Sequence, residues 1–167
     1  MNAQTMDEFL AYFESVRGRT RRVVMTIPPD RIEWTPRAGG FTLGDLVRHI
    51  AATERDMWAE TVCGRPSRYA GYGRELADGF DAVVAYFDRS HAETVALLVA
   101  LPAEALDAKC WTPAGATLSA RKWLRAMLEH EIHHRGQIYF MLGMLGVPTP
   151  PLFGLTEPQV RERSAGR

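Results

Sequence analysis

Between Glu129 and Gln137 the chain reads Glu-His-Glu-Ile-His-His-Arg-Gly-Gln and holds three of its five histidines. His130 and His134 are four residues apart, which on a helix stacks them on one face with Cβ atoms about 5–6 Å apart. Two imidazoles so placed can reach one cation at about 2.0–2.1 Å from each nitrogen. As charged imidazolium groups the same pair would repel, so the spacing points to neutral nitrogen ligands for a metal. His133 lies about 100° around the helix from His134 and cannot share that face squarely. It belongs beside the site or on the surface.

A third nitrogen must come from another helix. His49 is the candidate, because Leu46 and Ile50 flank it at core-facing spacing; His91, between Ser90 and Ala92 in a charged stretch, is expected on the surface. Three imidazoles from His49, His130 and His134 leave at least one coordination position open, the mark of a catalytic metal rather than a structural one. Such a metal could lower the pKa of a bound water toward about 7, or hold a thiolate. The all-imidazole set suits Zn, Ni, Fe or Cu without choosing among them. Glu54 and Glu131 are candidate supporting groups or bases; no catalytic residue is assigned.

The same letters fit two other patterns. His130-Glu131-Ile-His-His134 matches H-E-x-x-H, in which the Glu is the general base of a zinc protease. That chemistry also needs a substrate-aligning strand, which no part of this chain suggests, and a downstream ligand such as Glu157 or Glu162 only if the tail folds back. Glu131-x-x-His134 is half of a di-iron bundle site, but the second Glu-x-x-His is absent. Gly136 costs about 1 kcal/mol relative to Ala in mid-helix, which implies close approach of a neighbouring helix or a ligand. Arg135 reads as half of a surface ion pair and Gln137 as a polar-face residue. Trp34, Trp58, Trp111 and Trp123 read as core or interface.

Four helical stretches would carry these groups. Thr5-Met-Asp-Glu8 is a capping box opening a helix over 5–27 that Pro28-Pro29 ends. Thr42 opens a second over 42–63, with Asp45 near its N-terminus. The third covers 78–101 and stops at Pro102; the fourth covers 119–145 and ends at Gly146-Val-Pro148. The aromatic, glycine-rich stretch 69–73 reads as a loop lying over something, and 108–117 as a connector or short extended piece. The chain is expected to be one all-α domain, 1–167, a four-helix bundle with an extended tail over 149–167 and at most one helical turn after Thr156. The connections after helices one and three exceed those of tight antiparallel turns, which opens the way to long crossovers.

Composition narrows the function classes. Twenty basic and twenty acidic residues cancel, so no global field draws nucleic acid or anionic membrane; the run Arg17-Gly-Arg-Thr-Arg-Arg22 reads as a solvated helix face. No apolar run reaches the roughly 18–20 residues of a membrane span. The N-terminal segment, with Asp7 and Glu8, lacks the apolar core of a signal peptide, and Cys63 and Cys110 form no disulfide framework. A cytoplasmic protein with reduced thiols is expected.

Phe41-Thr-Leu-Gly-Asp-Leu-Val-Arg-His49-Ile-Ala-Ala-Thr-Glu54, with His130-Glu-Ile-His-His134-Arg-Gly-Gln137-Ile some 80 residues on, resembles the DinB/YfiT-like superfamily of metalloenzymes. The similarity runs from Trp34-Thr-Pro36 to the Leu-Gly-Val-Pro after helix four. The resemblance implies a bundle in up-down-down-up order and a divalent metal, often nickel or zinc, on His49, His130 and His134. It further implies a homodimer and a reaction on a small molecule, with a low-molecular-weight thiol as cosubstrate in transferases and isomerases of the family. Two classes of function follow: a metal-dependent enzyme, hydrolytic or thiol-transferring, and a non-catalytic dimeric bundle that the metal merely stabilises.

Overall fold

The computed structural model describes residues 5–166; the first four residues and the last of the expected 1–167 domain lie outside them. Six α-helices follow in chain order: α1 Met6–Val24, α2 Leu43–Thr53, α3 Glu60–Val62, α4 Phe80–Val99, α5 Ala120–Met144 and α6 Glu157–Ala165. The capping boxes at Thr5–Glu8 and Thr42–Asp45 both form, satisfying backbone donors that the first helical turn leaves free. Between α2 and α3 the helix does not break but widens into a π turn, Glu54–Ala59, so the expected stretch 42–63 is one rod with a bulge in it. The Thr53 hydroxyl donates to the His49 carbonyl at 2.7 Å just before that turn, competing with the backbone ladder there.

Two core clusters set the helix directions. One gathers Val23 and Val24 from the end of α1, Leu43 and Leu46 from the start of α2, Val83 and Phe87 from the start of α4, and Ile138 and Met141 from the end of α5. The other gathers Phe9 and Phe13 from the start of α1, Trp58, Leu98 from the end of α4, and Leu124 and Met127 from the start of α5. The order is therefore up-down-down-up, with α2 and α4 parallel. Parallel neighbours need a connection that travels the length of the bundle, roughly 30 Å for a 20-residue helix. That crossover is segment 63–79, after the second rod. The connections after the first and third rods, singled out for their length in the sequence, each stay at one end.

A small antiparallel hairpin, β1 Lys109–Trp111 with β2 Thr117–Ser119, gives the stretch read as a connector or short extended piece its extended form. Two expectations need correction. The tail carries the nine-residue helix α6 rather than a single turn; Thr156 caps it with Gln159, and none of its residues is buried. The basic run is not uniformly solvated, because Arg17 is 3% exposed. No helix among the described residues is long and apolar enough to cross a membrane, and both cysteines are free thiols.

Candidate metal centre

The second rod and α5 face each other through His49, His130 and His134, whose candidate ligand nitrogens all lie within 4.8 Å of one another. The Nε2 atom of His130 is 3.0 Å from that of His49 and 3.0 Å from that of His134. Gln137 Oε1 accepts a hydrogen bond from His134 Nδ1 at 2.6 Å, so the His134 proton sits on Nδ1 and its Nε2 lone pair points inward. The Tyr69 hydroxyl lies 2.8 Å from His49 Nδ1 and can hold that ring in the same tautomer. A single proton on His130 Nε2 could satisfy one neighbour only, leaving lone pair against lone pair at the other. One cation would satisfy all three nitrogens, and the donor set therefore fits a divalent metal.

The rings are also kept neutral. Burial, reinforced by the other imidazoles, pushes His49 down to about 4 and His130 down to about 3. Burial lowers His134 as well, against the opposing bond from Gln137. Metal ligation requires the neutral ring.

Aromatic side chains wall this cluster. Trp58, carried by the π turn, lies 4.8 Å from the His130 ring and 5.4 Å from Trp123. On the other side Tyr72 and Phe41 lie 5.7 and 5.6 Å from His49. The loop over 69–73 thus covers His49, and Arg48 fixes it there. Fully buried, Arg48 donates to the carbonyl oxygens of Tyr72 at 2.8 Å and Ala77 at 3.0 Å. Its remaining donors meet Glu33 and Asp45 at 2.7–3.1 Å. Neighbouring residues of one helix thereby divide the work: His49 faces the cluster while Arg48 holds the loop above it.

Behind the histidines lies a buried charge cluster that joins all four rods. Arg17 pairs with Glu54 and, at 3.2 Å, with Glu131, and both carboxylates are 2% exposed. Its guanidinium stands 4.0 Å over the Phe87 ring, and burial lowers its pKa despite the carboxylates. His91 contacts Glu54 at 3.2 Å and Glu14 at 3.1 Å. Glu54 and Glu131 are therefore structural partners of Arg17 rather than bases aimed at a metal. Glu131 cannot play the base of an H-E-x-x-H protease from there, and the only strands among the described residues are the short hairpin. His91 is half-buried and bonded instead of exposed, while His133 is exposed beside His134, with rings 4.9 Å apart.

Three further residues depart from their sequence reading. Arg135 is buried, reaching the Val16 carbonyl at 3.4 Å and the Thr20 hydroxyl at 3.5 Å. Gln137 anchors a candidate ligand instead of merely lining a polar face. Gly136 meets no neighbouring helix, since a Cβ there would find nothing within 4 Å; it borders a cavity. Of the tryptophans only Trp58 is fully in the core, and Trp111 is 69% exposed on the hairpin.

A family model described as the DinB superfamily matches residues 12–138, which include all three histidines of the cluster. Among curated proteins the chain is 24% identical over 150 residues to the uncharacterized protein YjoA of Bacillus subtilis, covering 88% of this chain and 95% of that one. Its fold is similar to that of YfiT from Bacillus subtilis, described as a probable metal-dependent hydrolase with an unusual four-helix bundle topology; the TM-score is 0.68 at 16% identity, over 89% of this chain and 91% of that one. It is also similar to a mycothiol-dependent maleylpyruvate isomerase, with a TM-score of 0.67 at 15% identity. That match covers 80% of this chain and only 60% of the isomerase.

Proposed function

The chain belongs to the DinB superfamily, and from that premise we propose that it is a metal-dependent enzyme whose divalent ion is held by His49, His130 and His134. The observation that carries this reading is the convergence of three Nε2 atoms from two rods, two of them with the opposite nitrogen already engaged. We take the ion to be zinc or nickel, which imidazole suits. When bound, it supplies a Lewis acid with an open position that can activate water or hold a thiolate. The chain's own residues do the rest: Tyr69 and Gln137 aim two of the rings, and Trp58, Phe41 and Tyr72 keep bulk water from them. Among the described residues no carboxylate is hydrogen-bonded to a cluster nitrogen, so neither Glu54 nor Glu131 is given a proton-transfer role.

The reaction class follows the likeness to YfiT and to the mycothiol-dependent isomerase: hydrolysis, or transfer or isomerisation with a low-molecular-weight thiol, on a small molecule in the cytoplasm. Metal analysis of the purified protein, followed by turnover screening of electrophiles with and without thiols, tests it. About one equivalent of metal and activity that returns on reloading a chelated sample are expected. Metal that raises the melting temperature with no turnover on any thiol–electrophile pair or ester would favour the non-catalytic bundle. Absence of bound metal would overturn the reading.

A further inference from the structure

A cavity of about 450 Å³ opens beside the metal centre, between the loop that precedes α2 and the second half of α5. That volume falls within the roughly 300–1,000 Å³ of small-molecule sites. Its lining joins it to the histidine cluster at two points. Gln137 borders the cavity and accepts the hydrogen bond of His134. Phe41 borders it too, with its ring 5.6 Å from His49 and 6.3 Å from His134.

The chemistry of the walls is one-sided. Arg37 and His133 both line the cavity, and no aspartate or glutamate does. At the same end of the bundle Arg31, Arg48 and Arg74 each face a carboxylate. Arg37 has no carboxylate within salt-bridge distance among the described residues, and its side chain is exposed. Gln137 has committed its oxygen to His134, so its amide N–H donors remain for a ligand. Phe41, Phe140 and Met141 add apolar surface, and Gly136 borders the cavity without a side chain, with open space where its Cβ would be. Arg37, His133 and Gln137 can each present an N–H donor to the cavity.

We propose that this cavity holds the organic substrate and selects one bearing a carboxylate, with the anion between Arg37 and His133 and its apolar body on Phe41, Phe140 and Met141. A guanidinium meets a carboxylate through two parallel N–H donors, and an unopposed cation in a concave site concentrates anions. A cationic substrate would find no counter-charge. Gln137 gives the arrangement its link to the chemistry: the residue that would touch the ligand also fixes the tautomer of His134. That the bound anion is the substrate rests on the metal-enzyme reading; the anion preference rests on residues outside the three-histidine cluster.

Isothermal titration calorimetry with 3-phenylpropanoate and its uncharged amide tests the assignment, using metal-loaded and chelator-treated protein. The carboxylate should bind roughly tenfold more tightly than the amide in both forms, the difference expected of hydrogen bonds to a charged group. Arg37→Gln, a change on an exposed loop, should erase most of that preference without altering metal content or circular dichroism. Equal affinities, no binding of either probe at millimolar concentration, or a preference unmoved by Arg37→Gln would overturn the proposal. So would a preference that vanishes with the metal and returns on reloading, since the carboxylate would then sit on the ion. A protein that prefers the carboxylate but binds no metal would instead refute the metal-enzyme reading and leave the cavity assignment standing.

Discussion

Two of the three clustered imidazoles are held at their far nitrogens, His49 by Tyr69 and His134 by Gln137. Such partners fix ring orientation and raise ligand basicity, and losing one commonly costs about 10–100-fold in metal affinity. Gln137→Leu and Tyr69→Phe should each show a loss of that order in a chelator-competition titration, while replacing His49, His130 or His134 by Ala should remove most of the metal. His133→Ala and His91→Ala should leave it in place. If His133→Ala stripped the metal and His49→Ala retained it, the ligand face of α5 would be the other one. His130 and His134 were legible in sequence because their spacing alone puts them together, and His49 because Leu46 and Ile50 bracket it. Tyr69 was not, since its contact depends on a crossover folding back over another helix. Gln137 lay three residues from His134, a helical neighbour spacing, and that was the available signal. Arg17 was hidden by the basic run around it, although Phe13, Val16 and Thr20 place its position on the buried stripe of α1.

At the level of elements, Arg48 decides whether the crossover stays over the site. Arg48→Met removes donors to two loop carbonyls and to Glu33 and Asp45, and breaking a buried ion pair by deleting one partner costs on the order of 3–5 kcal/mol. A melting-temperature drop, together with faster amide exchange over 69–77, is expected; unchanged exchange there would show that the loop is held by something else. The hydrogen bond from Arg48 holds the Glu33 carboxyl below its usual 4.5. Its stabilising contribution is complete above that value and is lost as pH falls through the lowered one. Acid titration of wild type and Arg48→Met should therefore diverge most above pH 4.5 and converge below it. The helices themselves were legible from periodicity and proline stops. Of the hairpin only a short extended piece was legible, because strands of three residues carry no alternation to read, and α6 was not legible beyond one turn, because it buries no apolar face.

For the molecule as a whole, large apolar side chains remain outside the core and away from the cavity: Met144 is 54% exposed and Phe153 80%. Exposed apolar surface is what interfaces cover, and we propose that a second copy covers these two. Light scattering at micromolar concentration should give twice 18.7 kDa, and Met144→Asp with Phe153→Asp should return the single mass; a wild-type protein that scatters only as 18.7 kDa would end the idea. The up-down-down-up order also sets a clock on biosynthesis. His49 and His130 are 81 residues apart, and a ribosome adding about 5–20 residues per second needs roughly 4–16 seconds to pass from one to the other. Throughout that interval the emerging chain offers His49 without either of its cluster partners. The three-histidine cluster can only be assembled once α5 has left the exit tunnel and docked, so on the proposed reading metal selection would fall to the finished bundle, whose rings are already set, and not to the nascent chain.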